Sequence, residues 1–309
     1  MKLLITLTLS VMTLTLAACG ETETTDVSIM VPNGSPAISQ MVFEYERPEI
    51  DNMTYDIERV SGAEPLVAAF GSESHQIIFA PTNVGARLIS TGAPYAFAAT
   101  VNWGNLHLAS GQTLESLDDL DGKEIIAFGQ NATPDIVLAT ILDKHDFSES
   151  PTIKYVDSVQ TAGANLVEDP SRIVMLAEPV LSVMANQVDA MQTLDIQALW
   201  QEKTGEDSYP QAGIFVHNDL DETIVNAYLN EIEASIQALH DDPSLVASYG
   251  EALDYPFPVP IIENAIPRSN IMFRSAEDSR DALEVYFSMI LERNAALLNH
   301  EMPSDDFYR

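Results

Sequence analysis

The sequence predicts an α/β fold of two similar, doubly wound units, on three observations. Short apolar runs of β type alternate with helical patterns from Val27 to Val216. The alternation passes a hinge-like region and then starts again as a second unit. One local device, a strand, a polar turn and a helix opened by proline, recurs at Asn33–Pro36, Pro81–Asn83, Asn131–Pro134 and Glu178–Pro179, twice in each half. Such βαβ alternation calls for a parallel sheet covered on both faces.

The chain opens with an export pattern. Met1-Lys2 precedes an uncharged apolar run, Leu3–Leu16, too short for a comfortable membrane span, and then Leu16-Ala17-Ala18-Cys19. Residues 1–18 are read as a signal peptide and 19–25 as a tether. Cys19 is the only cysteine, so no disulfide framework and no thiol for catalysis is expected.

Val27–Val31 reads as a strand, Asn33-Gly34-Ser35-Pro36 as a turn, and Ala37–Glu44 as a helix capped by Ser35. Tyr55–Val60 follows as a strand, Ala63–Phe70 as a helix closed by Gly71, and Gln76–Ala80 as a buried strand before Pro81-Thr82-Asn83 and a helix to Ile89. Ala96–Ala109 reads as one long strand broken near Gly104. The second unit opens on the most informative stretch, Asp121–Leu142. There Glu124–Phe128 is a strand, Gly129–Ala132 a turn, and Thr133 a cap for a helix that begins at Pro134 and buries Ile136, Val137, Ile141 and Leu142. Ile153–Val156, Ser158–Val167, Arg172–Ala177 and Val180–Gln187 continue as strand, helix, strand, helix. Gln201–Pro210 reads as a polar loop and Ala212–Val216 as a strand. Thr223–Leu239, Ser244–Leu253 and Ser275–Leu298 read as helices, with a proline-rich bend at Tyr255–Pro260 and a loose tail from Met302.

Composition sets the functional bounds. Lys and Arg number 14 against 47 Asp and Glu, a formal net charge of −33, which excludes nucleic-acid binding and disfavours adhesion to anionic lipid. The hydrophobic fraction of 46% is that of a globular chain, so the acidity suggests a saline setting rather than disorder. The six histidines are scattered without metal-ligand spacing, and no GxSxG, HExxH, phosphate-binding or dinucleotide-binding motif occurs. No cofactor and no metal is expected. What recurs is the polar turn, which in a doubly wound sheet lies at the carboxyl ends of the strands, where ligands bind. Each turn alone also reads as plain helix capping; four together argue for a shared cleft.

At this point the sequence resembles a known family. Leu16–Cys19 resembles the lipoprotein box of bacteria, in which the cysteine becomes the lipidated first residue; a plain signal peptide with an incidental cysteine is the alternative. Asn33–Pro36, the entry Leu114-Glu115-Ser116-Leu117-Asp118-Asp119-Leu120-Asp121-Gly122-Lys123, and Ala177-Glu178-Pro179 are together similar to the type II solute-binding proteins of ABC importers. The similarity is to the group of receptors for sulfonates, nitrate and the pyrimidine precursor of thiamine, and it runs from Asp26 to Leu298.

The resemblance implies two lobes joined by two crossing segments, at about Thr100–Ser110 and Tyr209–His217, with a ligand cleft between them. Lobe I would be residues 26–104, lobe II 105–211, and residues 212–309 the return to lobe I with the C-terminal helices. Expected ligand contacts are Asn33, Ser35, Thr82, Asn83, Asn102 and Trp103 from lobe I, with Asn131, Thr133 and Glu178 from lobe II. Trp103 would stack on a flat ligand or pack the hinge; Glu178 would accept from an amine or serve a helix start. Because no Arg or Lys sits in these turns, an uncharged or cationic nitrogen heterocycle is preferred over an oxyanion. The implied protein is a lipid-anchored, monomeric extracytoplasmic receptor serving an ABC permease and its ATPase. An enzyme on the same fold, such as the related menaquinone-pathway enzymes, and a surface sensor or adhesin are the rival classes.

Overall fold

The computed structural model describes residues 24–309, so the signal segment, Cys19 and most of the tether lie outside the described residues. Among the described residues eleven strands form two sheets: β1 Thr25–Pro32, β2 Met53–Val60, β3 Ile77–Pro81, β4 Tyr95–Trp103, β5 Leu106–Ser110, β6 Glu124–Phe128, β7 Thr152–Val156, β8 Ile173–Ala177, β9 Gln192–Asp195, β10 Pro210–His217 and β11 Ile271–Ser275. The first sheet has the order β11-β4-β10-β3-β1-β2 and the second β7-β6-β8-β5-β9. Around them lie α1 Ser35–Ser39, α2 Met41–Glu46, α3 Glu64–Ser72, α4 Thr82–Ser90, α5 Thr133–Asp143, α6 Val159–Glu168, α7 Val180–Ala185, α8 Ile196–Thr204, α9 Glu222–Asp241, α10 Pro243–Ala252, α11 Val259–Ala265 and α12 Ala276–Asn294.

The expectation of wholly parallel sheets needs correcting. β1, β2 and β3 are mutually parallel, as are β6, β7 and β8, but β10 runs antiparallel to both β3 and β4, and β5 antiparallel to β8 and β9. The cause is the chain's passage between lobes. It leaves the first sheet along β4, enters the second as β5, and returns as β10, whose first residue Pro210 pairs with Trp103 at the end of β4. The two crossings therefore lie side by side, and each continues a strand in the reverse sense.

Four parallel strands end where the polar turns begin: β1 at Pro32, β3 at Pro81, β6 at Phe128 and β8 at Ala177. Two proposed caps do not act as caps. Gly34, at φ 110°, is the residue before α1, and Ala132 the residue before α5; Ser35 and Thr133 are the first helical residues, and their hydroxyls turn elsewhere. The φ of Gly34 lies where a side chain would be strained. Gly71 sits inside α3, which ends at Ser72 with Glu73 in the left-handed conformation.

Other differences come from weak local signals. Gln201–Pro210 is not all loop, since α8 runs to Thr204, carried by Ile196 and Trp200, both buried. The bend at Tyr255–Pro260 opens α11, and the long C-terminal helix stops at Asn294. The tail is docked rather than loose. Phe307 stacks on Phe97 with centroids 5.4 Å apart, and Arg309 N–H donates to the Phe97 carbonyl at 2.9 Å. One apolar cluster joins the lobes, linking Phe97 and Phe215 of the first sheet to Ile125 of the second sheet and Leu138 of α5, together with Trp200, Tyr209 and Tyr286. No described helix is long and apolar enough to cross a membrane.

Candidate functional site

A cavity of about 350 Å³ lies between the lobes, on the scale of a small-molecule site. Its first-lobe wall comes from the turn after β1, the Ser61-Gly62-Ala63 link into α3, and Pro256-Phe257; its second-lobe wall from Val159-Gln160 and the turn after β8. Asn105 and Gln211 contribute from the two crossings.

Polar contacts inside it run from lobe to lobe. Gln211 Nε2 donates to Asn105 Oδ1 at 2.9 Å, and Asn105 Nδ2 donates to Ser35 Oγ at 2.9 Å. Ser35 Oγ in turn donates to the Glu178 carbonyl at 3.3 Å. The first helical turn of one lobe is thus tied to the β8 turn of the other through the crossings. Asn33 Nδ2 donates to Ser61 Oγ at 3.0 Å, bracing one edge. Tyr255 OH donates to the Gly34 carbonyl at 2.5 Å and accepts from the Gly34 N–H at 3.2 Å, which fixes the left-handed turn.

Glu178 is the one ionisable residue lining the cavity among the described residues, and its side chain is wholly enclosed. Its Oε2 accepts from the Ser182 N–H at 3.1 Å and hydroxyl at 2.8 Å, while Oε1 faces Arg268 Nε at 2.8 Å. Arg268 follows α11 in the first lobe, so this ion pair spans the cleft; its Nη2 also donates to Ser182 Oγ at 2.8 Å. Burial pushes the Glu178 pKa above the ordinary carboxylate value, against the pull of Ser182 and Arg268. The expected contact of Glu178 with a ligand amine is therefore met by a protein guanidinium.

Of the residues expected at the cleft, Asn33, Ser35 and Glu178 line the cavity. Thr82, Asn83 and Thr133 form a separate, buried cross-lobe joint: Thr133 Oγ1 donates to Asn83 Oδ1 at 3.3 Å, and Thr82 Oγ1 donates to the Pro210 carbonyl at 2.7 Å. Asn131 borders an outer hollow beside Asp135, Tyr155 and Arg293. Asn102 is enclosed in β4. Trp103 lies outside the cavity wall, its Nε1 donating to the Met272 carbonyl at 3.1 Å and Arg274 resting 4.4 Å from the ring centroid. Its ring is buried, with the Arg274 guanidinium against it. The sequence reading missed Asn105, Gln211 and Arg268. For the first two a signal existed, a primary amide within an apolar crossing, Gln211 alone in its segment and Asn105 beside Asn102; for Arg268 none did.

With this geometry in view, comparisons with known proteins decide the family. Residues 106–289, more than half of the chain, match the family model described as menaquinone biosynthesis. The chain belongs to that menaquinone-biosynthesis family. Among curated proteins none matches it. Its fold recurs in solved structures with bacterial solute receptors among them. An ABC transporter structure from Parabacteroides distasonis superposes with a TM-score of 0.82 at 19% identity, covering 92% of this chain and 98% of that one. The periplasmic aliphatic sulphonate-binding protein SsuA from Escherichia coli gives 0.68 at 10% identity, covering 90% and 92%. The ligand-binding component of an ABC-type import system from Staphylococcus aureus, with zinc bound, gives 0.69 at 11%, covering 92% and 96%. Likeness at such identity establishes the fold, the two-lobed arrangement of periplasmic binding proteins, which the menaquinone-biosynthesis family shares here.

Proposed function

We propose that this protein is the extracytoplasmic receptor of an ABC importer, capturing a small solute between its lobes and delivering it to a membrane permease and its ATPase. One observation carries the reading: a cavity walled by both lobes, whose one ionisable lining residue, Glu178, has an enclosed side chain ion-paired with Arg268 and hydrogen-bonded by Ser182, so that the walls can hold a molecule but expose no acid or base to it. The likeness to ABC-importer components of the same fold supports it. On this reading the first lobe spans residues 26–104 with 212–309, and the second spans 105–211. Cys19 carries the lipid anchor after cleavage at residue 18, and the receptor acts as a monomer.

Lobe closure is the signal such a receptor passes on. Scattering should therefore show compaction when solute is added, and mass spectrometry should recover the solute unchanged. Cys19→Ser should release the protein from the membrane fraction. The family match favours a second reading, an enzyme acting on a small metabolite in the same cleft. A chemically converted solute would establish that reading and remove the first.

A further inference from the structure

We propose that the closed cavity selects an uncharged ligand with an amide- or lactam-like edge, and that Arg268 of the first lobe is the counterion that cancels Glu178 of the second on closure. The proposal rests on the receptor reading and names its ligand class. Charged residues make up 20% of the chain, yet Glu178 is the one ionisable residue lining this cavity among the described residues, and its side chain is itself wholly enclosed. A cationic ligand would need that carboxylate, but Oε2 is held by the two donors of Ser182, and Oε1, which accepts no aligned hydrogen bond, is ion-paired with Arg268 at 2.8 Å.

Among the described residues no Arg, Lys or His lines the wall. Arg59, the nearest arginine in sequence to Ser61, is not a lining residue; it pairs with Glu44 at 3.5 Å and donates to the Leu253 carbonyl. The net charge of −33 further repels an anion on approach. What the wall offers is neutral. Asn33, Asn105, Gln160 and Gln211 are primary amides, each both donor and acceptor, and each keeps hydrogen-bonding capacity beyond the contacts described. Such groups pair in twos with an adjacent donor and acceptor on a ligand, as they do on the edge of a base. The rest of the wall is apolar, with Phe257 and the rings of Pro32, Pro36, Pro81, Pro179 and Pro256. These surfaces suit a flat body.

Arg268 supplies the coupling. It leads into β11 of the first sheet, whereas Glu178 follows β8 of the second, so the pair exists only while the lobes are together. Segment 256–268 works as one clasp: Phe257 packs on apolar residues of both lobes, and α11 packs on α7. Separation would return Glu178 to water as a free carboxylate. The charge is cancelled in the same movement that seals the ligand.

The test uses the mature protein with four probes: uracil and nicotinamide as uncharged amides, MOPS as a sulfonate and benzamidine as a cation. Titration calorimetry with parallel scattering should show binding and compaction for the uncharged probes only. Arg268→Met should weaken them by about ten-fold, the loss of one charge-assisted contact, and should let benzamidine bind. The double variant Arg268→Met/Glu178→Gln should exclude benzamidine again, which separates charge cancellation from simple damage to the fold. Binding of MOPS with compaction would overturn the ligand class and leave the receptor standing. Recovery of an altered probe would remove the receptor and leave the charge selection. Failure of both uncharged probes at millimolar concentration, or exclusion of benzamidine by Arg268→Met, would overturn the proposal.

Discussion

Two cross-lobe contacts in this molecule start from the same local device and end differently. Asn33–Pro36 faces Glu178–Pro179 across an open cavity, whereas Thr82-Asn83 faces Thr133 in a joint where all three side chains are buried. All four turns follow parallel strands at their carboxyl ends. The difference lies in what other parts of the chain bring. Around the cavity Gly34, Gly62, Ala63, Ala177 and Ala212 are interspersed among the larger wall residues Leu66, Phe257 and the prolines, which leaves volume. Around the joint the large rings of Trp200, Tyr209 and Tyr286 fill the space, with Trp200 and Tyr209 centroids 5.2 Å apart and Tyr286 turned toward Thr133. The turn device fixes where ligand-accessible groups are found; remote residues decide whether room is left for a ligand.

The largest expected effect breaks the joint. Trp200 is 1% exposed and bridges the two lobes' apolar cluster. Trp200→Ala should cost about 3–5 kcal/mol, the range for a buried large side chain, in urea unfolding. A loss below about 1 kcal/mol would mean that the lobes do not depend on this packing.

Next comes the cavity. Ser35→Ala or Asn105→Ala interrupts the chain of bonds from Gln211 to the Glu178 carbonyl. Unmet buried groups cost about 1–3 kcal/mol each, so affinity for the uncharged probes should fall about ten-fold or more. Asn83→Ala should lower stability while leaving affinity nearly unchanged, because Asn83 serves the joint. Equal affinity losses at Asn83 and Ser35 would erase the distinction between the two contacts.

How much of this was legible in the sequence follows from the same distinction. β3 and β8 are continuous apolar runs, and β1 and β6 are apolar but for Thr25, Asp26, Ser28 and Glu124; each is ended by turn residues, and every one was readable. β9 was not, because in Gln192–Asp195 only Leu194 is buried and no alternation shows. β11 was hidden similarly, with Ile271 buried beside Met272 at 41% exposure. The turns at residues 33–36 and 178–179 could be named as a site, but their partners could not. Ser35 meets Glu178 across 143 residues and Asn105 across 70, and Arg268 reaches Glu178 from a stretch beyond the Tyr255–Pro260 bend where the sequence pattern marks no element. Contacts of that range are set by the crossing topology, which reverses β5 and β10, and no local pattern records it.

A smaller effect separates exposed from enclosed charge. Arg293 pairs with Asp143 between α12 and α5, with 37% and 69% of their side chains exposed, whereas Glu178 is fully enclosed although its partner Arg268 is 41% exposed. Salt screens the first pair from both sides and the second only from the arginine. With 47 acidic against 14 basic side chains, screening of repulsion outweighs loss of the surface pairs. The melting temperature should rise by roughly 2–4 °C between low salt and about seawater strength, the shift produced by about 1 kcal/mol in a chain of this size. A flat response would show the carboxylates to be spaced well enough to need no screening.

The smallest effect is a difference in pH dependence between two groups that sense the same arginine. His107, buried in β5, has its pKa lowered from 6.5, chiefly because burial disfavours the imidazolium, with Asp195 opposing and Arg268 assisting. Its contribution to stability is therefore present above 6.5 and is lost as pH falls through the folded value, since the unfolded chain takes up the proton first. Glu178 runs the other way: its pKa is raised from 4.5, so its contribution is complete below 4.5 and is lost as pH rises through the folded value. Relative to the parent, His107→Asn should gain stability as the pH drops from about 7 to 5, and Glu178→Gln should gain as it climbs from about 4.5. Comparing variants at each pH cancels the change in overall charge, which is common to all of them. Melting curves for the parent and both variants between about pH 4.5 and 8 measure the two slopes. If His107→Asn followed the parent throughout, the imidazole would be free to protonate in the folded protein, and the second sheet could not be packed against it as tightly as the buried β5 requires.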